Sequence, residues 1–302
     1  IIKILIRKCG LIMEQLLIIK LVVGLLMLVT LVFFILNYRL CKDVLTKAQK
    51  FKTFSMSFIA NFFDTFGIGS FSSFFAMRNF LKLMPDNKTY NGSLVVQAAL
   101  PTAVQSILFL GLVQVDTLML VVSCVSIAIG GIISGYLINR VSRQGILYVM
   151  LITFMISAAL LILNKFNLLN IGGELTYVRG DKLIILAVVM LLAGMLPAFG
   201  VGYYSIVLVI IFMLGISPIV AYPIMTTASA VQMPMTAIPM IKSHKFLSFS
   251  SLLMTIAGLL AVAIAAPVIS KINSAELKWI LLIVLIYNIT QLLKQMSKAK
   301  QQ

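Results

Sequence analysis

The sequence predicts an all-α protein, a polytopic transmembrane helix bundle built from two inverted-topology repeats with Gly-broken helices. Three observations carry that expectation. Of 302 residues, 61% are apolar and 11% charged, with a mean hydropathy of +1.11; soluble domains carry about 25% charged residues. So few charges exclude a soluble enzyme, a disordered tail and a disulfide-rich secreted scaffold. Apolar runs also recur at the length of about 20 residues that crosses a bilayer as a helix. Finally, two longer runs are interrupted by related glycine pairs, Phe66-Gly67-Ile68-Gly69 and Phe199-Gly200-Val201-Gly202.

Taken in order, the first run, 16–38, follows Lys3, Arg7 and Lys8, the charge pattern that opens a secretory signal. It exceeds a signal's apolar core, no small-residue cleavage site follows, and a basic cluster comes next, so a retained helix is expected. Further spans are expected near 91–111, 117–138, 146–163, 218–241, 248–270 and 277–293. The runs 53–77 and 183–213 hold the glycine pairs. Glycine lowers helix stability and marks breaks, so each run reads as two short half-helices that return the chain to the side it entered from.

The formal charge of +16 follows from 24 cations and eight acids. If 39–52 is cytoplasmic, with Arg39, Lys42, Lys47, Lys50 and Lys52, fifteen of the cations fall on that side and nine opposite. That bias follows the positive-inside rule. The charge then reads as orientation and contact with anionic lipid headgroups, with no claim on nucleic acid.

The two glycine pairs are offset by 133 residues, and the same offset carries Pro85 onto Pro218 and Pro101 onto Pro234. With a two-residue shift, Arg140-Val141 falls on Lys271-Ile272 and Tyr148 on Trp279. The expected organisation is an added N-terminal helix with a basic segment (1–51), a first repeat (52–164), an extracytoplasmic loop (165–181), a second repeat (182–294) and a basic cytoplasmic tail (295–302). Three full spans follow each broken run. That odd number makes the second repeat enter from the opposite side, the pattern of many secondary transporters.

Glycine-broken helices in corresponding positions point to a transport site, because irregular backbone at membrane depth survives only when buried in protein or facing a wet cavity. Half-helices starting near Ser70 and Tyr203 would aim unpaired N–H groups and positive dipole ends at it, enough to bind an anion. Asp64 is the one carboxylate placed at membrane depth. It reads either as a proton carrier, cation ligand or gate, or as a local cap for the freed N–H groups of Gly67 or Gly69. Gln97, Pro101 and Gln105 share one helix face; Thr226, Ser229, Gln232 and Thr236 form a similar stripe. Such stripes line a cavity or hydrogen-bond neighbouring helices. Gly131 and Gly135 read as close helix packing. The expected substrate-binding set is Asp64, Thr65, Gly67, Gly69, Ser70, Gln97, Gln105, Gly200, Gly202, Tyr203, Thr226, Ser229 and Gln232.

Several chemistries lack their residues. The one histidine, His244, lies in a basic loop, and Cys9, Cys41 and Cys124 are scattered singly. No metal, cofactor or catalytic group is expected.

Through Phe63-Asp64-Thr65-Phe66-Gly67-Ile68-Gly69-Ser70 and its echo at 199–202, the chain resembles the sulfite exporter TauE/SafE family, also called the toluene sulfonate uptake permeases. The resemblance covers about 52–294, including Gly130, Gly131 and Gly135 and the stretch from Pro223 to Pro234. It implies a multi-pass protein of the bacterial cytoplasmic membrane moving a small sulfur-containing anion such as sulfite or an organosulfonate. The chain departs from it with Ser70 and Tyr203, where many members continue with glycine. The expected partners are therefore a small anionic substrate, protons if Asp64 couples, and the lipid bilayer; a homo-oligomer is compatible with such a bundle. Two other readings stand beside it, a non-transporting membrane scaffold or assembly factor and a cation carrier using Asp64. A polar cavity reaching both glycine breaks favours transport, and a sealed dry centre favours the scaffold.

Overall fold

The computed structural model describes residues 2–65, 69–84, 86–111, 115–138, 140–166, 174–265, 267 and 274–300. Phe66, Gly67, Ile68, Pro85 and residues 167–173 of the connecting loop expected at 165–181 lie outside them. The described residues form helices α1 (Ile2–Asn37), α2 (Lys47–Thr65), α3 (Ser70–Leu81), α4 (Asn87–Leu110), α5 (Thr117–Leu137) and α6 (Arg143–Lys165). They continue with α7 (Asp181–Met195), a 3-10 turn (Leu196–Phe199), α8 (Tyr204–Met213), α9 (Pro218–Lys242), α10 (Ser248–Ala265) and α11 (Ser274–Lys300). Among the described residues, five helical stretches are long and apolar enough to cross a membrane: 17–37, α4, α5, 181–199 and α10. The chain is an all-α polytopic bundle.

The two interrupted runs are the pairs α2/α3 and α7/α8, with their second halves starting at Ser70 and Tyr204. Each pair folds back on itself. Lys182 Nζ at the start of α7 donates to Leu214 O at the end of α8, 3.1 Å away. The turn after α7 is closed by Gly200, which takes a φ of 80° that side-chain-bearing residues rarely adopt, and its N–H returns to Pro197 O.

Helix packing exchanges between the halves. Helix α2 packs on α10 as α7 packs on α5, α4 on α10 as α9 on α5, and α3 on α11 as α8 on α6, while α4 meets α9. Directions agree with this exchange. Ser57 bonds Met254 O and Asn61 abuts Gly258, so α2 and α10 run the same way. Arg179 meets Asp116 at the starts of α7 and α5, with Gly194 against Ile127 further along, so that pair also runs the same way. Leu247 N bonds Ser93 Oγ and Ser106 Oγ bonds Thr227 Oγ1, so α4 and α9 are antiparallel.

Close approach explains the glycines in the middle of the spans. A Cβ on Gly130 would lie 2.0 Å from Leu191 O, and one on Gly194 would lie 2.2 Å from Ile127 O. Gly131 and Gly135 face Thr236 and Pro239 of α9, the small-residue contact the sequence suggests. Helix α1 lies against α9 and α4, and its residues from Leu17 on are mostly exposed or half-buried. Exposed apolar residues repeat at helical spacing on outer faces, as in Val121-Val125-Ile129-Ile132 and Ile184-Val188-Leu192. In water such patches would drive aggregation; in lipid they are the solvent-facing surface.

The cations sort by end. One end brings together Cys41, Asp43, Lys50, Lys242 and the start of α10, through Ser248 N to Cys41 O, Lys50 over the Phe249 ring and Lys242 over the Phe33 ring. The other end holds Asp116, Arg179 and Lys182.

Candidate functional site

The two breaks meet inside the bundle. A small cavity lies between them, lined by Asp64, Gly69, Ser70 and Phe71 from the first break and Gly202, Tyr203 and Tyr204 from the second. Ala98 and Thr102 of α4 and Ser229 and Met233 of α9 close it. Its free space for the centre of a water molecule is about 10 Å³, about one water.

The carboxylate is built in from α2. Ser70 N, the first N–H of α3, donates to Asp64 Oδ1 at 2.5 Å, and Gln105 Nε2 donates to Asp64 Oδ2 at 3.3 Å and to Thr65 Oγ1 at 3.2 Å. Thr65 Oγ1 in turn donates to Asn61 O at 3.0 Å. Asp64 therefore caps α3 through Ser70 N, the N–H next to the expected Gly69, while Gly67 lies outside the described residues. This corrects the expectation that both half-helix starts lie open to an anion, because the positive end of α3 already faces a carboxylate.

Hydroxyls answer from the other half. Tyr203 OH and Ser229 Oγ are hydrogen-bonded to each other, Ser229 Oγ donates to Tyr204 OH at 3.1 Å, and the two tyrosine rings stack with centroids 5.2 Å apart. Tyr203 sits at the N-cap of α8 with no side-chain cap bond there. On the opposite wall, Thr102 bonds Ala98 O within its own helix.

Of the expected substrate-binding residues, the structure brings Asp64, Gly69, Ser70, Gly202, Tyr203 and Ser229 onto the cavity and places Thr65 and Gln105 directly behind Asp64. Gly67 lies outside the described residues. Four others point elsewhere, each for a packing reason. Gln97 faces Asn61 across the α2/α4 contact, and Thr255 Oγ1 donates at 3.4 Å to its backbone carbonyl. That carbonyl is the one deprived of its helical donor by Pro101. Gly200 is a helix terminator pressed against Asn91, whose Oδ1 would lie 2.3 Å from an added Cβ. Thr226 bonds its own helix at Tyr222 O. Gln232 reaches Gly194 O and Thr236 Oγ1, tying α9 to α7. Tyr204, Thr102 and Phe71 line the cavity unforeseen. Tyr204 was signalled by its place beside Tyr203, whereas Thr102 lies off the 97/101/105 stripe and had no signal. Among the described residues, no three His, Cys, Asp or Glu side chains group as metal ligands would.

The family model described as "Sugar (and other) transporter" matches residues 51–195. The match runs from the start of α2 to the end of α7 and stops at the second break. No curated protein and no solved structure matches the chain. With the apolar helices, the match supports a multi-pass membrane transporter. It lends no support to the sulfite exporter resemblance or to a sulfur-containing substrate.

Proposed function

We propose that the chain is a secondary transporter that passes a small hydroxylated solute through the space between its two breaks, with Asp64 carrying a coupled proton. The observation that supports this most is the composition of the lining: one carboxylate on the first half faces a linked trio of hydroxyls on the second. No lysine or arginine is among the lining residues, so recognition rests on hydrogen bonds, which suit a sugar or polyol. A cavity with room for about one water is a closed state. Admitting a solute needs the halves to rock apart about the breaks. Polar side chains brought to one cavity from both breaks, Asp64 and Ser70 from the first and Tyr203 and Tyr204 from the second, also favour transport over a scaffold role.

A second reading, a small anion such as sulfite or an organosulfonate, draws on the uncapped start of α8 at Tyr203. Ionised Asp64 would repel that anion across so short a gap, so anion binding requires Asp64 to be protonated. The two readings separate in proteoliposomes offered monosaccharides, polyols, sulfite and organosulfonates, with and without an inward proton gradient. Uptake of a neutral solute, lowered about tenfold by Ser229→Ala through loss of a buried hydrogen bond, supports the first. Sulfonate uptake that occurs only with the proton gradient supports the second. Absence of flux for every solute with folded protein contradicts both.

A further inference from the structure

The two halves pack alike, yet the seam leading from the bundle end to the break differs between them. In the first, α2 and α4 lie against α10. Thr53, Ser57 and Asn61 follow one another at four-residue steps on α2, a single helix face. Ser57 Oγ donates to Met254 O at 2.6 Å and Asn61 abuts Gly258, so this face looks onto α10, and the same step sets Thr53 opposite Ser250 and Ser251. From α4, Gln97 reaches Asn61 and Thr255, and Gln105 reaches Asp64. All of these but Thr255 are almost fully buried. Even so, Thr53 Oγ1, Gln97 Nε2, Ser248 Oγ and Ser251 Oγ have no hydrogen-bond partner among the described residues.

Unpaired buried polar atoms are rare in native proteins, and at membrane depth they persist only where water or protein satisfies them. Four along one seam call for partners, and ordered water is the partner that fits.

The 133-residue offset, reduced by two in the third spans, identifies the equivalent seam between α7, α9 and α5. There Thr53 becomes Leu186, Ser57 becomes Met190, Asn61 becomes Gly194 and Gln97 becomes Ala230, while Ser250, Ser251 and Thr255 become Met119, Leu120 and Cys124. Leu186, Met190, Met119 and Leu120 are packed together in one apolar cluster. One seam carries four unpaired polar atoms along its length; its counterpart is mostly hydrocarbon at the aligned positions, with Thr117 in place of Ser248 and one unpaired buried atom among the described residues, Oε1 of the Gln232 that ties α9 to α7.

We infer that the α2/α4/α10 seam is a one-sided water path that links the lysine-bearing end of the bundle to Asp64, so that the proton reaches the transport site from that end only. The inference rests on the reading of Asp64 as proton carrier. The path enters beside Asp43, whose Oδ1 accepts from Phe249 N and Ser250 N, and Lys50, which lies over the Phe249 ring. It passes Ser251, Thr53, Ser57, Asn61 and Gln97, and reaches Asp64 through Thr65 and Gln105. Beyond Asp64, the ionisable groups facing it are the Tyr203 and Tyr204 hydroxyls, with Cys124 of α5 beyond them. The proton would arrive through hydroxyl, amide and water groups, with no second carboxylate between Asp43 and Asp64 on the residues that form the path.

Silver ion, small enough to follow a file of water and reactive toward thiolates, tests this without any knowledge of the solute. Thr53→Cys, Ser251→Cys, Leu186→Cys and Leu120→Cys are each placed in full-length protein with Cys9, Cys41 and Cys124 replaced by serine, in oriented membrane vesicles. Silver is added from one side or the other, and the free thiol is then read by alkylation after denaturation. The path predicts that Thr53→Cys and Ser251→Cys are protected at least about tenfold faster, from the lysine-bearing side, than either counterpart from either side, because thiol reactivity follows solvent access. Equal rates at all four positions, or equal rates from both sides, overturn it. Silver access needs no transport, so fast one-sided protection alongside absent flux would count against the transport reading and leave the water path standing.

Discussion

At the residue scale, glycine and asparagine fix the second break together. Gly200 needs both its positive φ and its missing Cβ, since Asn91 occupies the space a methyl group would take. Gly200→Ala should therefore destabilise the protein by about 1–3 kcal/mol through strain and overpacking. Adding Asn91→Ala should recover the packing part and leave the backbone part, and Tm in detergent for the two single variants and the pair measures the coupling. The residues around the breaks were legible because paired glycines at membrane depth have few explanations, and those explanations carry Asp64, Ser70 and Tyr203 with them. Gln97, Thr226 and Gln232 turn away from the cavity for a physical reason. A polar stripe on a central helix faces several neighbours at once, and sequence periodicity gives the face without naming the neighbour. Here the neighbours were α2 and α10, the helix's own carbonyl, and α7.

At the element scale, α7 is held to α5 both midway and at the helix starts. Midway, Gly194 lets the backbones touch at Ile127, so Gly194→Leu should lower Tm strongly or prevent folding, whereas Gly24→Leu on α1, which meets nothing within 4 Å, should leave Tm nearly unchanged. At the helix starts, Arg179 Nη1 and Nη2 donate to Asp116 Oδ1 and Oδ2 at 2.9 and 2.6 Å, and Met119 N donates to Oδ1. The hydrogen-bonded Arg179 guanidinium, helped by Met119 N–H, holds the Asp116 carboxyl below its usual range against the opposing effect of partial burial. A carboxyl depressed in the folded state contributes stability above its unfolded pKa of about 3.9, and that contribution fades as pH falls through the lower folded value. Asp116→Asn should thus lower Tm at pH 7, and the gap to the unsubstituted protein should close in the range below pH 4. The pair is partly exposed, so the effect should also shrink with salt.

At the scale of the whole molecule, two apolar cores meet at a polar level where both breaks and the cavity lie. One core is built around α2, α3, α4, α6 and α10, the other around α5, α7, α8 and the first half of α9. The all-α bundle and the two broken runs could be read from hydropathy and glycine placement, because bilayer thickness sets span length and glycine sets the breaks. A capping role for Asp64 could be read from its place just before the break, but not the N–H group it takes, because periodicity does not give the distance from a carboxylate six residues upstream to Ser70 N. This one bond moves the expected substrate from a bare anion toward a solute held by hydroxyls, and it gives the carboxylate a state to leave when it is protonated.

Asp64 is proposed to couple solute movement through the cavity to protons. The most direct test is proton-gradient-driven uptake of the transported solute into proteoliposomes, comparing the unsubstituted protein with Asp64→Asn. The amide keeps an oxygen for Ser70 N and an equivalent shape, so folding should survive. The unsubstituted protein should concentrate solute when a proton gradient is imposed, while Asp64→Asn should only equilibrate it, at a rate insensitive to pH. Gradient-driven accumulation by Asp64→Asn with an unchanged pH profile would contradict it.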